Sequence, residues 1–309
     1  MSSRAEAYFE VWGRNELLLL LVIFSKYNLN TTKHLDFLAW AKAFWLYTDN
    51  THHGSREVVN SEIEIIKNSM NTKRILFDLP LDHRYSITPI WLQGFTEGDG
   101  TFYYERRGTL KYQLTQKGNK GLMEAIQNYL NSLVPQDKLS FSGDIQKAAR
   151  LYNPNKHNVW ILYVSQLTFL EYVIIPLFNS GVFHTKKYLD YLDWLALFKI
   201  KKKGLHYTEE GKKLIDKITN QMNNNRLTTS GKPVVNRDKL LKEIENLLAL
   251  PSNFRHEGDT AKGKTWIISE ERYYSAKGEG RGKKKLLLYF RRLVRLLKYS
   301  SLIRSVENF

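Results

Sequence analysis

The chain has 309 residues, enough for about two structural units that each bury a hydrophobic core. Its 47 Lys and Arg outnumber 31 Asp and Glu, and the net charge of +16 indicates a polyanionic partner, either nucleic acid or an anionic membrane surface. The sequence contains no Cys, which excludes disulfides, zinc–thiolate sites and thiol nucleophiles.

The first apolar element is the run from Leu17 to Phe24. It is much shorter than the ~20 residues that a membrane-spanning helix needs. It also differs from a signal peptide, because Glu6, Glu10 and Glu16 precede it and no small-residue cleavage site follows it. We therefore predict a buried helix here, and a membrane is not an expected partner.

An internal repeat relates residues 24–44 to residues 178–198 at a constant offset of 154. The identical pairs include Thr31/Thr185, Lys33/Lys187, Leu35/Leu189, Asp36/Asp190, Leu38/Leu192, Trp40/Trp194 and Phe44/Phe198. A second match, Met-Asn-x-x-Arg, begins at Met70 and again at Met222. Two unrelated amphipathic helices would share the Leu spacing but neither the Thr-x-Lys segment nor this second match. The long period indicates a duplicated domain and not a solenoid.

The two copies differ in what precedes them. A whole unit from about Ile87 precedes the second copy, whereas the counterpart of Asp99 in the first copy would fall before residue 1. The sequence therefore predicts one complete repeat preceded by the C-terminal half of another. The predicted domains are the half-repeat at residues 1–80, the complete repeat at 87–230 and a basic C-terminal extension at 231–309.

The complete repeat opens with a short helix at Pro89, a favourable first-turn residue, and the Gly98-Asp99-Gly100 cluster ends this helix. Alternating segments on either side of Gly108 then predict a β-hairpin. Strands are predicted at 101–107, 109–116, 138–151 and 158–164, and helices at 120–134, 167–178, 188–202 and 208–224. This order indicates an α+β fold with an antiparallel sheet.

The alternation in the hairpin assigns its side chains to two faces. The inward positions are Phe102, Tyr104, Leu110, Tyr112 and Leu114. The outward positions are Tyr103, Glu105, Arg107, Lys111, Gln113 and Thr115. A polar and aromatic outward face is what a sheet that reads a DNA groove requires, so we predict that these six residues contact nucleic acid.

The chemistry centres on the segment from Trp91 to Gly100. Gly94 and Gly98 are spaced G-x-x-x-G, so another helix can approach this face to backbone contact. Asp99 falls at the helix C-terminus, where the negative end of the dipole disfavours a carboxylate. A divalent cation bound by Asp99 and neighbouring carbonyls such as that of Gly98 would remove this conflict. Two such helix ends would suit two-metal phosphodiester hydrolysis. The alternative is a helix stop followed by an Asp-Gly turn.

Leu92 to Gly100, read as Leu-Gln-Gly-Phe-Thr-Glu-Gly-Asp-Gly, resembles the LAGLIDADG motif of homing endonucleases and intron maturases. Residues 87–226 look like one such domain, and residues 1–74 are similar to the second half of a preceding domain of the fungal mitochondrial, intron-encoded type. The resemblance implies an αββαββα fold whose antiparallel, saddle-shaped sheet lies in the DNA major groove. It also implies that the motif helices pair through Gly94 and Gly98 and that Mg²⁺ or Mn²⁺ is the cofactor.

The resemblance assigns roles to individual residues. Asp99 is the metal ligand, Gln116 positions water near the scissile phosphate, and Lys117 contacts phosphate. Lys187 or its neighbour Lys186 is the basic residue at the edge of the active site, and Lys33 is the repeat partner of Lys187. Lys33 and Lys186 are also expected to bind nucleic acid. For each Lys the alternative is a solvated surface charge. Glu97 is expected to lie at the surface or to cap backbone, not to bind metal.

The missing first motif leaves several functions open. The family implies Mg²⁺-dependent, sequence-specific double-strand cleavage of DNA at an intron insertion site, in the mitochondrial matrix and without a small-molecule substrate. The alternative is a nuclease-deficient maturase that binds group I intron RNA and assists splicing. A third possibility is an RNA-scaffold or ribosome-associated protein. The absence of the motif fits a fragment of a longer reading frame, a degenerate relic or a maturase.

The C-terminal extension is interpreted separately. Residues 253–282 are rich in Gly, Lys and Arg and predict a loop or small extension. Residues 283–298 predict a basic amphipathic helix without any acidic residue. We favour phosphate binding by this helix, and a membrane-surface helix is the alternative.

Overall fold

The computed structural model describes residues 9–48, 55–105, 108–139, 148–154, 158–226, 236–258 and 264–274. The chain divides into two compact units. The first contains the described residues up to 197 and from 218 to 226, and the second contains residues 198–217 and the described residues from 236 onward. Residues 198–217 therefore belong to the same unit as the C-terminal residues. Arg107 and the predicted helix at 283–298 lie outside the described residues. None of the described helices is long and apolar enough to cross a membrane.

The first unit begins with the helices of the half-repeat: α1 (Arg14–Lys26), α2 (Lys33–Thr48) and α3 (Arg56–Lys67), followed by a 3-10 turn at Asn71–Lys73. Leu21 of α1 packs against Phe37 and Phe44 of α2. The predicted helix at residues 17–24 is present, but its predicted burial is wrong. Only Leu21 is buried in α1, because the helix has apolar residues on all sides and is covered on one.

The complete repeat has the predicted order of helices and strands. It comprises α4 (Pro89–Asp99), β1 (Gly100–Tyr104), β2 (Leu110–Lys117), α5 (Lys120–Ser132), the short α6 (Gln136–Leu139), β3 (Ala149–Tyr152) and β4 (Val159–Val164). The four strands form one antiparallel sheet in the order β1-β2-β4-β3. The strand predicted at residues 138–151 is wrong at its start, because Lys138 and Leu139 belong to α6.

Local signals explain where α4 begins and ends. The Thr88 side chain caps the helix by accepting a hydrogen bond from the Trp91 N–H at 3.2 Å, and Pro89 occupies the first turn. The helix ends at Asp99, and Gly100 continues directly as the first residue of β1. The motif therefore delivers its acidic residue to the junction of a helix and a strand.

One face of the sheet forms the core of this unit. Phe102, Leu110, Tyr112 and Leu114 are fully buried, as their inward positions predict, whereas Tyr104 is only partly buried. The Tyr112 hydroxyl lies 2.8 Å from the Thr96 hydroxyl, so this buried hydrogen bond ties α4 to the sheet. Burial raises the pKa of Tyr112, which keeps the phenol neutral.

The next helices complete the unit. Residues 167–179 run as α7 (Leu167–Phe169), a π-helical turn (Leu170–Ile174) and α8 (Ile175–Asn179), and α9 (Lys187–Lys202) follows. Rings from α8 and α9 surround the Phe102 ring of β1, with Phe178 at 5.3 Å, Tyr191 at 5.3 Å and Trp194 at 5.4 Å between centroids. This aromatic cluster attaches the second copy of the repeated segment to the sheet.

The duplicated residues form the same clamp in both copies. Asp36 accepts hydrogen bonds from the Asn71 backbone N–H at 2.9 Å and from Arg74 Nε at 3.0 Å. Asp190 accepts the equivalent bonds from Asn223 and Arg226, both at 2.9 Å. The repeated Met-Asn-x-x-Arg sequence is therefore a structural element that holds the chain against the preceding helix.

The clamp also explains why Asn is repeated within that sequence. Asn71 and Asn223 have φ angles of 53° and 55°, in the left-handed region that Asn tolerates better than most residues. This conformation turns the backbone N–H of each Asn toward its Asp. Desolvation opposes ionisation of Asp36, but the bonds from Asn71, Arg74 and Lys33 outweigh it and lower the pKa of this carboxyl.

The second unit contains the C-terminal end of α9, a 3-10 turn (Leu205–Tyr207), most of α10 (Glu209–Thr219) and α11 (Arg237–Ala249). A three-stranded antiparallel sheet follows: β5 (Phe254–Glu257), β6 (Lys264–Ile267) and β7 (Arg272–Tyr273). This sheet lies within residues 253–282, the segment predicted to form a loop or small extension. Asn253 organises the sheet, because its buried side chain bonds the Gly204 carbonyl, the Ser269 hydroxyl and the Ser269 N–H.

Candidate active site and nucleic-acid interface

The candidate active site lies where α4 meets the sheet. Gln116 Nε2 donates a hydrogen bond to Asp99 Oδ2 at 2.5 Å. This contact is possible because β1 and β2 pair with Gly100 opposite Leu114, which brings the end of β2 beside the end of α4. The Asp99 carboxylate is exposed and is therefore available to a ligand from solvent.

Lys187, the first residue of α9, lies next to the same junction. Its ammonium Nζ donates a hydrogen bond to the Gly100 carbonyl at 2.7 Å. The structure thus brings three predicted residues, Asp99, Gln116 and Lys187, to the Asp99–Gly100 peptide. Lys117 and Lys186, which adjoin Gln116 and Lys187 in sequence, are exposed.

Glu97 connects the motif helix to the start of α9. Its carboxylate accepts the His184 N–H at 3.0 Å and the Thr185 N–H at 2.6 Å. Desolvation acts against the charged form, but the hydrogen bonds from Thr185 and His184 outweigh it and lower the pKa of Glu97. The predicted backbone-capping role is confirmed, and it secures the segment that carries Lys186 and Lys187.

The face of the sheet opposite the core carries the predicted polar residues. The Tyr103 hydroxyl donates to Gln113 Oε1 at 3.0 Å, and Gln113 Nε2 donates to the Thr115 hydroxyl at 3.3 Å. Lys111 forms an ion pair with Glu105. Desolvation opposes the charge on Lys111. The hydrogen bond that its ammonium donates to Glu105 outweighs desolvation and raises the pKa of Lys111. These side chains form a connected polar surface.

Two further strands extend this surface and supply residues that the sequence analysis missed. Tyr163 of β4 pairs with Gln113 on one side and with Arg150 of β3 on the other. Lys111 Nζ lies 5.0 Å from the centre of the Tyr163 ring, at cation–π distance. Residues 159–164 show no alternation of polar and apolar side chains that would mark Tyr163, and its neighbours depend on the strand order.

Lys33 makes its contacts within the half-repeat. Its Nζ bonds Asp36 Oδ2 at 3.3 Å and Asn71 Oδ1 at 3.2 Å. Its repeat partner Lys187 instead bonds the motif backbone. The two repeated lysines therefore have different partners, although they begin equivalent helices.

Gly94 and Gly98 lie on an exposed face of α4. Apart from the backbone of α4 itself, no described atom lies within 4 Å of a methyl group placed on either residue. The described residues therefore do not make the predicted helix contact. The described residues also contain no cluster of three or more His, Asp or Glu that would hold a metal ion. Asp99 and the Gly98 carbonyl are oxygen donors of the kind that Mg²⁺ prefers, but they provide only part of a coordination shell.

The site combines an exposed acidic residue at the end of a helix with an antiparallel sheet whose outer face is polar. Residues 92–198 match the family model described as LAGLIDADG endonuclease. This part of the chain is therefore similar to LAGLIDADG endonucleases.

Two curated fungal proteins are also similar to this chain. The uncharacterized mitochondrial protein RF1 of Saccharomyces cerevisiae is 27% identical over 216 residues, which cover 67% of this chain and 44% of RF1. The probable intron-encoded endonuclease 4 of Neurospora crassa is 25% identical over 225 residues, which cover 70% of this chain and 33% of that protein. The chain thus spans less than half the length of these relatives.

Solved structures confirm the fold. The I-LtrWI LAGLIDADG homing endonuclease bound to target DNA aligns with a TM-score of 0.57 and 25% identity, covering 71% of this chain and 75% of its own. The meganuclease I-SmaMI bound to uncleaveable DNA aligns with a TM-score of 0.56 and 25% identity, covering 70% and 74%. The predicted α+β LAGLIDADG fold is therefore correct.

Proposed function

We propose that this chain binds double-stranded DNA at an intron insertion site and takes part in its hydrolysis as a homing endonuclease. The contact between Asp99 and Gln116 at the helix–sheet junction carries the proposal, because it places an exposed carboxylate beside a polar side chain that can orient water. The two solved neighbours, which are bound to DNA, support double-stranded DNA as the partner.

The open face of the sheet would read the DNA. Gln113 and Thr115 carry donors and acceptors for base edges, and Lys111 and Arg150 carry positive charge for phosphates or guanine. Two-stranded β-ribbons fit the major groove of B-DNA, which supports a groove-reading role for β1 and β2. The hydrogen bonds among Tyr103, Gln113 and Thr115 fix these side chains before DNA arrives, which lowers the entropic cost of binding.

The residues at the junction have separate tasks in the proposed hydrolysis. Asp99 and the Gly98 carbonyl would hold Mg²⁺ or Mn²⁺, which when bound supplies Lewis-acid activation of a phosphodiester. Gln116 orients water against the Asp99 carboxylate. Lys187 remains at the edge of the site through its bond to the Gly100 carbonyl, where its charge stabilises the negative charge that develops on the phosphate.

A second candidate function is supported by one observation, namely the net charge of +16, which suits a polyanionic partner whether it is DNA or RNA. A maturase that binds group I intron RNA needs the basic surfaces but not a pair of acids. The mitochondrial relative in yeast supports a mitochondrial location for either function.

The test compares the purified chain with Asp99→Asn on duplex DNA that spans the intron-less junction, with Mg²⁺ present. Cleavage by the parent chain that Asp99→Asn loses, with unchanged DNA affinity, supports the nuclease. Tight intron-RNA binding by both chains, without any DNA cutting, contradicts the nuclease and supports the maturase. Omitting Mg²⁺ should abolish cleavage and leave DNA binding largely intact.

A further inference from the structure

The small sheet of the second unit has two faces with different side chains. Phe254 of β5 pairs with Ile267 of β6, and Ile267 is fully buried. The Phe254 ring lies 6.0 Å from the Tyr207 ring, so this face packs against the 3-10 turn of the same unit. Side chains alternate along a strand, and the next pair, Arg255 and Trp266, therefore lies on the opposite face.

The opposite face presents aromatic rings together with cations. Trp266 pairs with Tyr273, their ring centroids lie 4.8 Å apart, and the ring planes meet at 78°, so each ring has a face that the other does not cover. The Arg255 guanidinium lies 5.9 Å from the Trp266 ring centre, and Lys264 Nζ lies 5.5 Å from that of Tyr273, both at cation–π distance. Tyr273 is 45% exposed and Trp266 is partly exposed. We call this face the aromatic platform, which consists of Arg255, Glu257, Lys264, Trp266 and Tyr273.

Glu257 fixes the positions of two members of the platform. Its carboxylate accepts hydrogen bonds from the Tyr273 hydroxyl at 2.7 Å and from Arg255 at 2.7 and 3.0 Å. The bonds from Tyr273 and Arg255 lower the pKa of Glu257, so this carboxylate is ionised at neutral pH. Side chains that are held in place before a ligand arrives lose less entropy on binding. The carboxylate oxygens also keep lone pairs for a further donor.

The chemistry of the platform fits RNA whose bases are unpaired. Exposed aromatic rings beside cations bind single strands, because bases stack on the rings while the cations contact phosphates. Bases within a duplex already cover one another, so a duplex does not offer such faces. A carboxylate would repel a strand that presents only phosphates to it, whereas the 2′-hydroxyl of RNA can donate a hydrogen bond to Glu257. Residues 275–298, which follow the sheet in sequence, contain nine Lys or Arg and one Glu, a charge that complements a polyanion.

We propose that the aromatic platform binds unpaired bases of single-stranded RNA. One base stacks on Trp266 and a neighbouring base stacks on Tyr273. Arg255 and Lys264 contact the flanking phosphates, and Glu257 accepts a hydrogen bond from a 2′-hydroxyl. The site lies in the second unit and does not depend on the proposed hydrolysis in the first unit.

The experiment measures binding of the full chain to an unstructured RNA of about 12 nucleotides, to single-stranded DNA of the same sequence and to the corresponding RNA duplex. Trp266→Ala and Tyr273→Ala remove the rings. Tyr274→Ala is the matched control, because Tyr274 is 48% exposed and its ring lies 6.3 Å from that of Phe254 on the packed face. Trp266→Phe retains a ring for stacking. Unfolding midpoints show which variants fold, and crosslinking to thiouridine-substituted RNA locates the contact in the parent chain itself.

The platform predicts that Trp266→Ala and Tyr273→Ala each weaken RNA binding about 5- to 150-fold, as expected for the loss of one base–aromatic stack. Trp266→Phe should retain most of the affinity, and Tyr274→Ala should bind like the parent. Arg255→Gln should reduce the slope of log affinity against log salt by about 0.7, the value for one phosphate of a single strand. The crosslink should fall within residues 264–274.

Several outcomes would overturn the proposal. An equal loss of affinity in Tyr274→Ala and Tyr273→Ala would show that the exposed face has no special role. Crosslinks only outside the platform, or tighter binding of the RNA duplex, would also contradict it. Equal affinity for single-stranded DNA overturns the assignment to RNA. Asp99→Asn should bind RNA like the parent, so a failure of the proposed nuclease leaves this result unchanged, whereas weaker RNA binding by Asp99→Asn contradicts the platform as the site.

Discussion

Gln116 lies with its amide nitrogen 2.5 Å from a carboxylate oxygen of Asp99, although the two residues are 17 positions apart in the sequence. Gln113, on the same strand, points to the opposite face, where it bonds Tyr103. One strand thus contributes one residue to the candidate active site and another to the proposed DNA-reading surface, because side chains alternate along it.

Substituting these two glutamines should separate catalysis from binding. Gln116→Ala should lower the cleavage rate about 10- to 100-fold with little change in DNA affinity, as expected for a residue that orients a ligand. Gln113→Ala should weaken DNA binding and relax the sequence preference while preserving the rate at saturating DNA. Single-turnover kinetics and equilibrium binding on the same duplex measure both effects. Equal loss of affinity in the two variants would contradict this division.

The two clamps should differ in their contribution to stability. Arg226 pairs with the buried carboxylates of both Asp190 and Asp193, whereas Arg74 pairs with Asp36 alone among the carboxylates that the structure describes. Arg226→Met should therefore cost about 3–5 kcal/mol of unfolding free energy, because it leaves two buried acids without their guanidinium.

Arg74→Met is the matched control, and it should cost less because Asp36 keeps Lys33 as a partner. Urea unfolding measures the loss of unfolding free energy in each variant. Amide exchange then localises the loss, in α9 for Arg226→Met and in α2 for Arg74→Met. A larger loss of unfolding free energy in Arg74→Met than in Arg226→Met would show that the pairing with Asp193 does not add to stability.

Glu97 predicts an acid-dependent loss of stability. Its folded pKa lies below the usual 4.5, so its ionised form stabilises the fold above pH 4.5 and this contribution disappears as the pH falls through the lowered pKa. Glu97→Gln should therefore show a flatter decline of the unfolding midpoint below pH 4.5 than the parent chain. Glu57→Gln, an exposed change on α3, serves as the control and should follow the parent. Parallel curves for the parent and Glu97→Gln would rule out this role.

The lowered pKa of His206 leads us to expect that the stability of the second unit depends on pH over a different range. Burial, assisted by the charge of Lys201, lowers the pKa of His206 from 6.5 to about 3. The neutral ring is thus favoured in the folded state, and stability should be fully present above pH 6.5 and decline as the pH falls toward 3. His206→Phe should remove much of this decline and retain the ring contact with Tyr207. Amide exchange in α11 between pH 7 and pH 4 measures the effect, and an unchanged pH dependence would exclude His206 as its source.

Short-range patterns in the sequence predicted the elements around the site. Pro89 and the Gly98-Asp99-Gly100 cluster delimited α4, and alternation assigned Phe102 and Tyr112 to the core, because capping, turn and pleat preferences act over a few residues. The repeat also identified Asp36 and Asp190 as equivalent, and their shared clamp confirms that equivalence. The roles of Asp99 and Gln116 remain predictions.

Contacts between distant residues depended on packing that no local pattern specifies. The strand order β1-β2-β4-β3 placed Tyr163 between Gln113 and Arg150, and the pairing of β1 with β2 brought Gln116 to Asp99. The burial of α1 was overestimated, because the apolar residues of a helix show that it can be buried but not how many surfaces pack against it. Lys33 and Lys187 have the same sequence context but different partners, since the motif backbone that Lys187 bonds has no counterpart around Lys33 among the described residues.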